Sequence, residues 1–236
     1  MALPFFYLSS YSPGDVEITL DEDNSRHVVQ VLRMQKGQQL QLTDGCGWLL
    51  TAAILDDHKK KCLVRVEAAD LQPARARKVT VALSLLKNAS RFEWFLEKAT
   101  EIGVTGIVPL LCERTEKQHF RLDRMQNILV SAMLQSQQTW LPALRTPVPV
   151  AQVIREGSGE GGFIAHCMEA ERSSLASAVH ASAAASQLIL IGPEGDFTRN
   201  EIEMALGGGF LPVTLGETRL RTETAGVVAS SLMCIR

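Results

Sequence analysis

The sequence predicts an α/β protein in which a mostly parallel sheet follows a small β-rich domain. From Val79 onward, apolar runs typical of buried strands alternate with helical patterns. Before that point the apolar runs are short and separated by turn residues. Between the two parts, residues 70–78 have no periodicity and contain Pro73, which indicates a domain boundary. We therefore expect a β domain over residues 1–72, a linker over 73–78 and an α/β domain over 79–236.

Composition restricts the classes of protein to which the chain can belong. It has 236 residues, a net charge of −2 and 46% hydrophobic residues, which is ordinary for a globular protein. No apolar run is long enough to cross a bilayer, and the first residues lack the features of a signal peptide. The five cysteines form no C-x-x-C pair, and the histidines lack metal-ligand spacing. We expect a cytoplasmic protein with reduced thiols, no membrane association and no metal site.

The first domain is predicted to be a small, barrel-like β structure with one helix. Residues 25–34 place apolar side chains at helical spacing, and Gly37 is expected to end that helix. Asp44-Gly45 is a strong turn signal between two strands. The predicted strands cover residues 40–43, 48–55 and 62–69.

The second domain is predicted from buried strands and capped helices. Ser90 and Glu93 are spaced as a capping box for a helix that Gly103 ends, and Thr198 and Glu201 are spaced as a second one. The run over residues 79–86 is nearly all apolar, as a strand buried on both faces should be. Further strands are predicted over 106–111, 162–165, 188–191 and 211–215, and further helices over 121–138 and 222–235.

The first candidate for a ligand site is Ile191-Gly192-Pro193-Glu194-Gly195, which follows a buried strand and precedes a capped helix. In open parallel sheets, ligands bind beyond the carboxyl ends of the strands. The two glycines let the backbone approach a ligand closely, proline stiffens the loop, and the glutamate can accept hydrogen bonds. The alternative is a tight strand-to-helix turn that binds nothing.

The second candidate is the loop over residues 215–225, which also follows a strand and opens a helix. Capping by one threonine and Glu223 explains part of its polar character. Arg219 and Arg221 are not explained in this way, because the helix dipole disfavours cations near a helix N-terminus. Arg221 is therefore a candidate to anchor a phosphate or to pair with Glu194 or Glu223.

The third candidate is the loop over residues 87–91, which follows the first strand of the same sheet. Lys87 and Arg91 suit RNA phosphates, although surface charge and a helix cap explain them equally well. His166 follows a buried strand and is a candidate to line the same pocket, although we favour the interpretation as a structural histidine. No G-x-G-x-x-G run follows a predicted strand and opens a helix, and there is no P-loop motif, so the sequence predicts neither a dinucleotide site of that type nor a P-loop.

These loops together resemble the signature of the RsmE family. Its members are SPOUT-class methyltransferases that modify N3 of a uridine in 16S ribosomal RNA. The resemblance covers essentially the whole chain, in order, and also includes the family's small PUA-like N-terminal domain. It rests on residues 191–195, 215–216, 220–225, 98–104 with 109–110, and 27–33 with Gly37 and Asp44-Gly45.

The resemblance implies a fold, a cofactor and a set of functional residues. It implies a deep trefoil knot in a C-terminal SPOUT domain, a homodimer formed through that domain, and S-adenosylmethionine bound within the knot. The RNA partner is 16S ribosomal RNA in an assembled or nearly assembled small subunit, with Arg33, Lys87 and Arg91 assigned to RNA binding. The implied cofactor-binding residues are Ile191, Gly192, Pro193, Glu194, Gly195, Leu215, Gly216, Leu220, Arg221, Thr222, Thr224 and Ala225.

The predicted chemistry follows from the weak acidity of uridine N3–H, since transfer of a methyl group needs the nitrogen lone pair. A cation near the uracil oxygens favours the deprotonated base, and Arg221, Arg91 or Lys87 is a candidate for this role. Glu101 or Glu223 is a candidate base. We rank orientation and cationic stabilisation above a dedicated base, because the sequence singles out no carboxylate.

Two positions depart from the family pattern. The family often has a second glycine where this chain has Asp196, and often an arginine where this chain has Gln138. The arginine lies in the long helix, so its replacement bears on RNA binding or on the subunit interface. Two alternatives stay open: a non-catalytic RNA-binding dimer, and a SPOUT methyltransferase with another RNA target.

Overall fold

The computed structural model describes residues 3–157, 161–168 and 171–235. The chain divides into two compact units. The N-terminal unit contains the described residues up to Ala74 together with Met133–Leu141, and the C-terminal unit contains Arg75–Ala132 and the described residues from Pro142 onward. Within the described ranges, no helix is both long and apolar enough to cross a membrane.

The described part of the N-terminal unit contains a sheet with the strand order β1-β3-β4-β5-β2. The β1–β3 pair is parallel and the other pairs are antiparallel. Alternate side chains of β3 and β4 are buried in a common core, as a sheet with one covered face requires. They include Leu40, Leu42, Leu50 and Ile54. The strands are β1 (Phe5–Tyr7), β2 (Glu17–Thr19), β3 (Gln39–Thr43), β4 (Trp48–Asp56) and β5 (Leu63–Leu71).

The helical segment of this unit differs from its prediction. A short helix α1 (Glu22–Arg26) begins at Asp21, whose carboxylate accepts the backbone N–H of Asn24 at 2.7 Å. A π-helical turn (His27–Val31) follows directly. The prediction that Gly37 ends the helix is wrong, because the chain already turns away at Arg33, which has a φ of 54°.

The C-terminal unit has a parallel sheet, which confirms the predicted α/β class with a mostly parallel sheet. Its order in the described residues is β11-β13-β10-β12-β6-β7-β8, and β9 also pairs with β7. Every one of these pairings is parallel. The strands are β6 (Lys78–Ser84), β7 (Gly106–Leu111), β8 (Ala143–Leu144), β9 (Val148–Pro149), β10 (Gly162–Ala165), β11 (Ser173–Ser174), β12 (Ser186–Ile191) and β13 (Leu211–Thr214).

Among the described residues after β6 there are six helices: α2 (Ala89–Ile102), α3 (Leu122–Gln135), α4 (Val150–Glu156), α5 (Leu175–Ala181), α6 (Arg199–Gly207) and α7 (Thr222–Cys234). Helix α7 packs against α2, α5, β6 and β12. Gly226 permits this approach, since a Cβ there would lie 2.5 Å from Cδ1 of Leu83 and 2.6 Å from Cδ2 of Phe95. Close packing of α7, and not a turn, therefore requires glycine at position 226.

Two of the predicted helix signals are confirmed. Thr198 and Glu201 form the expected capping box at the start of α6, with each side chain bonded to the other residue's backbone N–H. Gly103 ends α2 in the left-handed conformation, with a φ of 99°. That conformation favours glycine because it has no Cβ.

The predicted capping box at Ser90 and Glu93 is wrong. Helix α2 begins earlier, at Ala89, and the side chain of Asn88 accepts the N–H of Ser90 at 3.0 Å. The carboxylate of Glu93 instead accepts two hydrogen bonds from Arg124, at 2.6 and 2.9 Å. The spacing of residues along α2 could not show that the Glu93 carboxylate bonds to a residue of α3.

Candidate functional site

The carboxyl ends of four neighbouring parallel strands lie along one edge of the C-terminal sheet. The register pairs Ala165 of β10 with Ile191 of β12 and with Val213 of β13. On its other side, Ile191 pairs with Leu83 of β6. The loops that follow these strands therefore open on a common edge, which is where parallel sheets bind ligands.

A pocket of about 700 Å³ lies at this edge. Its volume falls within the range of small-molecule sites, roughly 300–1,000 Å³. The loop after β10 contributes residues 165–167 and Arg172, and the loop after β12 contributes residues 191–194 and Asp196. The connection from β13 to α7 contributes residues 213–222, with Ala225 behind it and Arg91 of α2 beside it.

The two loops predicted from sequence thus meet in one pocket. Neither Gly195 nor Thr224 is among the lining residues. The Gly195 carbonyl instead accepts a hydrogen bond from Nη1 of Arg114 at 2.6 Å. The predicted cofactor-binding residues that line the pocket are Ile191, Gly192, Pro193, Glu194, Leu215, Gly216, Leu220, Arg221, Thr222 and Ala225.

Glycines shape both loops. A Cβ on Gly192 would lie 3.0 Å from the backbone nitrogen of Phe197 and 3.1 Å from its ring, so a larger residue would disturb the turn into α6. Gly216 has a φ of 142° and open space where a Cβ would stand. Both positions leave bare backbone beside the pocket, which lets a ligand approach closely.

The helix that follows the second loop is not capped as predicted. Arg221 occupies the N-cap position of α7 and makes no side-chain capping bond, while its carbonyl accepts the N–H of Ala225 at 2.8 Å. The prediction that a threonine and Glu223 cap this helix is therefore wrong. Thr222 and Glu223 are already helical and buried.

Arginines give the pocket a cationic side. Arg219 and Arg221 line the pocket and are exposed. Their guanidinium groups form no ion pair with a described residue. Arg221 thus pairs with neither Glu194 nor Glu223, although the sequence left both pairings open. Arg91 takes the second of these partners, with its Nε 3.7 Å from Oε1 of Glu223.

Glu223 is a buried acid next to the pocket. It is 6% exposed, and among the described residues its Oε2 has no hydrogen-bond partner. A buried carboxylate oxygen without a donor is costly, so such an atom calls for an explanation. Arg91, which approaches the other oxygen, lines the pocket itself.

Glu223 and the remaining predicted residues lie outside the pocket lining. Glu101 is on the last turn of α2, where it accepts a bond from Nζ of Lys98 at 2.9 Å. Lys87 is exposed, and its Nζ lies 2.8 Å from Glu116, whose carboxylate raises the pKa of the lysine. Arg33 belongs to the N-terminal unit, where it is exposed.

The segment after β10 contributes lining residues to which the sequence assigned no functional role. His166 is 6% exposed, and burial lowers the pKa of its imidazole. Its Nδ1 has no hydrogen-bond partner among the described residues, and its carbonyl accepts a bond from Arg172. The structure places His166 in the pocket lining, which was the alternative to the favoured interpretation as a structural histidine. Position after a buried strand was the available signal, whereas nothing in the sequence marked Arg172.

Asp196 lies within the first candidate run, but the sequence assigned it no role in the site. It has a φ of 65°, and its carboxylate accepts the backbone N–H of Cys167 and that of Phe197, both at 2.8 Å. Its presence where the family pattern often has glycine was the signal that could have identified it.

Comparison with known proteins gives two family matches that together cover most of the chain. An RNA methyltransferase domain matches residues 73–234, and an RNA methyltransferase PUA domain matches residues 20–67. The second match agrees with the predicted PUA-like character of the N-terminal unit.

Individual relatives agree with these matches. The ribosomal RNA small subunit methyltransferase E of a Synechocystis species is 34% identical over 219 residues, which cover 91% of this chain and 72% of the relative. A crystal structure of a probable rRNA methyltransferase from Porphyromonas gingivalis has a TM-score of 0.89 at 38% identity and covers 99% of this chain and 100% of that chain.

A third relative has a ligand in its crystal structure. It is a ribosomal RNA small subunit methyltransferase E from Neisseria gonorrhoeae bound to S-adenosyl methionine, with a TM-score of 0.86 at 27% identity. The match covers 98% of this chain and 97% of that one. The resemblance noted in the sequence is therefore confirmed, and this chain belongs to the RsmE family, the ribosomal RNA small subunit methyltransferases E.

Proposed function

We propose that this protein transfers a methyl group from S-adenosylmethionine to ribosomal RNA of the small subunit. The observation that carries the proposal is the single pocket formed by the Gly-Pro-Glu loop and the β13–α7 loop at the carboxyl edge of the parallel sheet. The relative with S-adenosyl methionine bound covers nearly the whole chain, which supports the same ligand here.

The pocket residues fit this cofactor. The volume of about 700 Å³ suits a ligand of this size, and bare backbone at Gly192 and Gly216 permits close contact. When bound, S-adenosylmethionine supplies an electrophilic methyl group carried on a sulfonium. We assign its binding to the ten predicted residues that line the pocket, with Gly195 and Thr224 completing the two loops.

We further propose N3 of a uridine in 16S ribosomal RNA as the methylated atom, as the family resemblance implies. The chain must orient the uracil and stabilise negative charge on its oxygens while N3 loses its proton. Arg221 is the first choice for that cation, because its guanidinium is exposed at the pocket and pairs with no described carboxylate. Arg91 and Lys87 already have acidic partners.

Glu223 is our candidate for the group that takes the N3 proton. Neither acid is among the lining residues, but Glu223 pairs with the lining Arg91 and its buried Oε2 has no partner among the described residues. Glu101 instead pairs with Lys98 on the last turn of α2. The proton would pass from N3 to the Glu223 carboxylate while the N3 lone pair bonds to the methyl carbon. The carbon–sulfur bond to that methyl group would break with its electron pair left on sulfur, so the sulfonium becomes a neutral thioether. Arg91 helps to hold that carboxylate in place.

The fold and assembly of the active protein are part of the proposal. Strands β10 and β12 lie between β13 and β6, yet α7, which follows β13, packs against β6 and α2. This return of the chain supports the trefoil knot expected of a SPOUT domain. A homodimer through the C-terminal unit is proposed from the resemblance, and the exposed indole of Trp94 on α2 would suit such an interface.

RNA contacts and location complete the proposal. We assign RNA binding to the PUA-like domain, including Arg33, and to Lys87 and Arg91. The substrate is proposed to be an assembled or nearly assembled small subunit, in the cytoplasm where such subunits are found. Closure of the N-terminal sheet into a barrel is likewise proposed from the predicted domain type.

Two experiments test the proposed function. Isothermal titration calorimetry with S-adenosylmethionine should give one saturable site per chain, and absence of binding would favour a non-catalytic RNA-binding protein. Mass spectrometry of 16S ribosomal RNA from cells lacking the protein should show loss of one N3-methyluridine. An unchanged uridine together with loss of another methylated nucleotide would assign the enzyme a different RNA target.

A further inference from the structure

The carboxylate of Asp196 joins two segments of the pocket wall that are distant in sequence. Its Oδ2 accepts the backbone N–H of Cys167, which follows β10, at 2.8 Å. Its Oδ1 accepts the backbone N–H of Phe197, at the turn into α6, also at 2.8 Å. We call this pair of bonds the Asp196 clasp. Bonds from a carboxylate to N–H groups are charge-assisted and stronger than neutral ones.

The backbone at Asp196 adopts a conformation that side chains seldom favour. Its φ of 65° lies in the left-handed region, where glycine is the usual residue and aspartate is among the tolerated alternatives. Such a conformation persists when the surrounding structure compensates for it. The two hydrogen bonds of the clasp provide that compensation, so the side chain has a reason to be present here.

The clasp holds residues on both sides of the pocket. On the β10 side, Cys167 and the adjacent His166 line the pocket, and the buried Nδ1 of His166 has no partner among the described residues. On the β12 side, the backbone of Phe197 packs so closely on Gly192 that a Cβ there would lie 3.0 Å away. One carboxylate therefore fixes the spacing between the segment that carries His166 and the segment that carries Gly192.

We propose that Asp196 is a positioning residue that preorganises the cofactor pocket, so that the affinity for S-adenosylmethionine depends on the clasp. The inference rests on the proposed function, since it takes this cofactor as the ligand. A site whose walls are already ordered loses less conformational freedom on binding, and its affinity is correspondingly higher. Asp196 acts through the walls it holds, and the chemistry of transfer does not depend on it.

The test compares Asp196→Gly and Asp196→Asn with the wild-type protein. Glycine removes both bonds and suits the backbone conformation, whereas asparagine keeps one carbonyl acceptor. We expect Asp196→Gly to weaken S-adenosylmethionine binding, measured by calorimetry, by about tenfold, in keeping with loss of charge-assisted bonds. Asp196→Asn should give a smaller loss. The KM for S-adenosylmethionine should rise while kcat and the KM for the RNA substrate change little.

Asp44→Gly is a matched control. The Asp44 carboxylate also accepts two backbone N–H groups, those of Cys46 at 2.8 Å and Trp48 at 3.3 Å, but it belongs to the N-terminal unit. This variant should bind S-adenosylmethionine like the wild-type protein. A cooperative melting transition shows that each variant is folded. If Asp196→Gly does not fold, the comparison is made with Asp196→Asn.

Hydrogen exchange in the ligand-free protein separates the clasp from the proposed function. The Cys167 amide should exchange faster in Asp196→Gly than in the wild-type protein, because it loses its acceptor. Equal exchange and equal cofactor affinity in the two proteins would overturn the clasp alone. Failure of the wild-type protein to bind S-adenosylmethionine would overturn the proposed function, and the assignment of the clasp to this cofactor with it.

Discussion

The Nε atom of Arg91 lies 3.7 Å from Oε1 of Glu223, while the other oxygen of that buried carboxylate has no hydrogen-bond partner among the described residues. The pair joins the start of α2 to the start of α7 beside the pocket. It thus holds a carboxylate with one unpartnered, buried oxygen beside an arginine that lines the pocket. In the proposed reaction this oxygen accepts the N3 proton of a uracil, while Arg221 stabilises the charge on the uracil oxygens.

The first prediction concerns the acid in this pair. Glu223→Gln should lower kcat for RNA methylation by about 100-fold or more, the usual contribution of a general base. Cofactor affinity should stay within about threefold, because the neutral amide keeps the shape of the side chain. Single-turnover transfer and calorimetry on the same preparation measure the two effects.

Glu101→Gln is the control for this prediction. Glu101 pairs with Lys98 on the last turn of α2, whereas the partner of Glu223, Arg91, is on the first turn and lines the pocket, so replacing Glu101 should leave kcat nearly unchanged. A greater loss in Glu101→Gln than in Glu223→Gln would reverse the assignment of the base.

The second prediction concerns the cation at the start of α7. Arg221→Ala should abolish most methyl transfer while leaving the dissociation constant for S-adenosylmethionine nearly intact, because the guanidinium is proposed to act on the uracil oxygens. Arg219→Ala offers a comparison, since it removes an equally exposed arginine from the same loop. If Arg221→Ala loses cofactor binding and transfer in equal measure, the arginine is part of the cofactor site instead.

The third prediction concerns packing beneath the site. Gly226→Ala would place a Cβ 2.5 Å from Leu83 and 2.6 Å from Phe95, so either α7 or the two side chains must move. Overpacking of this kind costs about 1–3 kcal/mol, and thermal unfolding should show it as a lower melting temperature. Gly207→Ala at the end of α6 is the control, because no atom lies within 4 Å of its added Cβ. Equal melting temperatures for the two variants would contradict the close packing of α7.

The fourth prediction concerns acid stability. Hydrogen bonds from Arg145 and Gln152 lower the pKa of Glu156 from its ordinary value of 4.5 to about 2. A depressed folded-state pKa stabilises the fold above the unfolded value and loses that contribution as pH falls from about 4.5 toward 2. Glu156→Gln should therefore reduce the dependence of unfolding on pH in that window only. NMR titration of the carboxyl carbon checks the pKa directly, and a midpoint near 4.5 would show that the ion pair does not form.

The strand-end loops were predictable from the sequence because their signals are local. Buried strands ending at Ile191 and Thr214 were marked by apolar runs, and glycines marked the turns after them. Parallel order then places successive strand ends at one edge. The same locality explains why the capping box at Thr198 and Glu201 was correctly predicted.

The features that the sequence did not reveal depend on contacts between distant segments. Glu223 looked like a capping residue, because nothing local shows that Arg91 of another helix would draw its carboxylate inward. Asp196 looked like a departure from a family pattern, because its bond to Cys167 spans 29 positions. His166 looked structural for the same reason. Local patterns predict elements and turns, whereas the pairing of side chains across a pocket depends on the assembled sheet.

Transfer of a labelled methyl group shows directly whether the protein methylates ribosomal RNA of the small subunit. The purified protein is incubated with S-adenosylmethionine carrying an isotopic methyl label and with small ribosomal subunits from cells that lack it. The account predicts about one labelled methyl per subunit, found on N3 of a uridine in 16S ribosomal RNA by mass spectrometry. Cofactor binding without any label in the RNA of these subunits would contradict it.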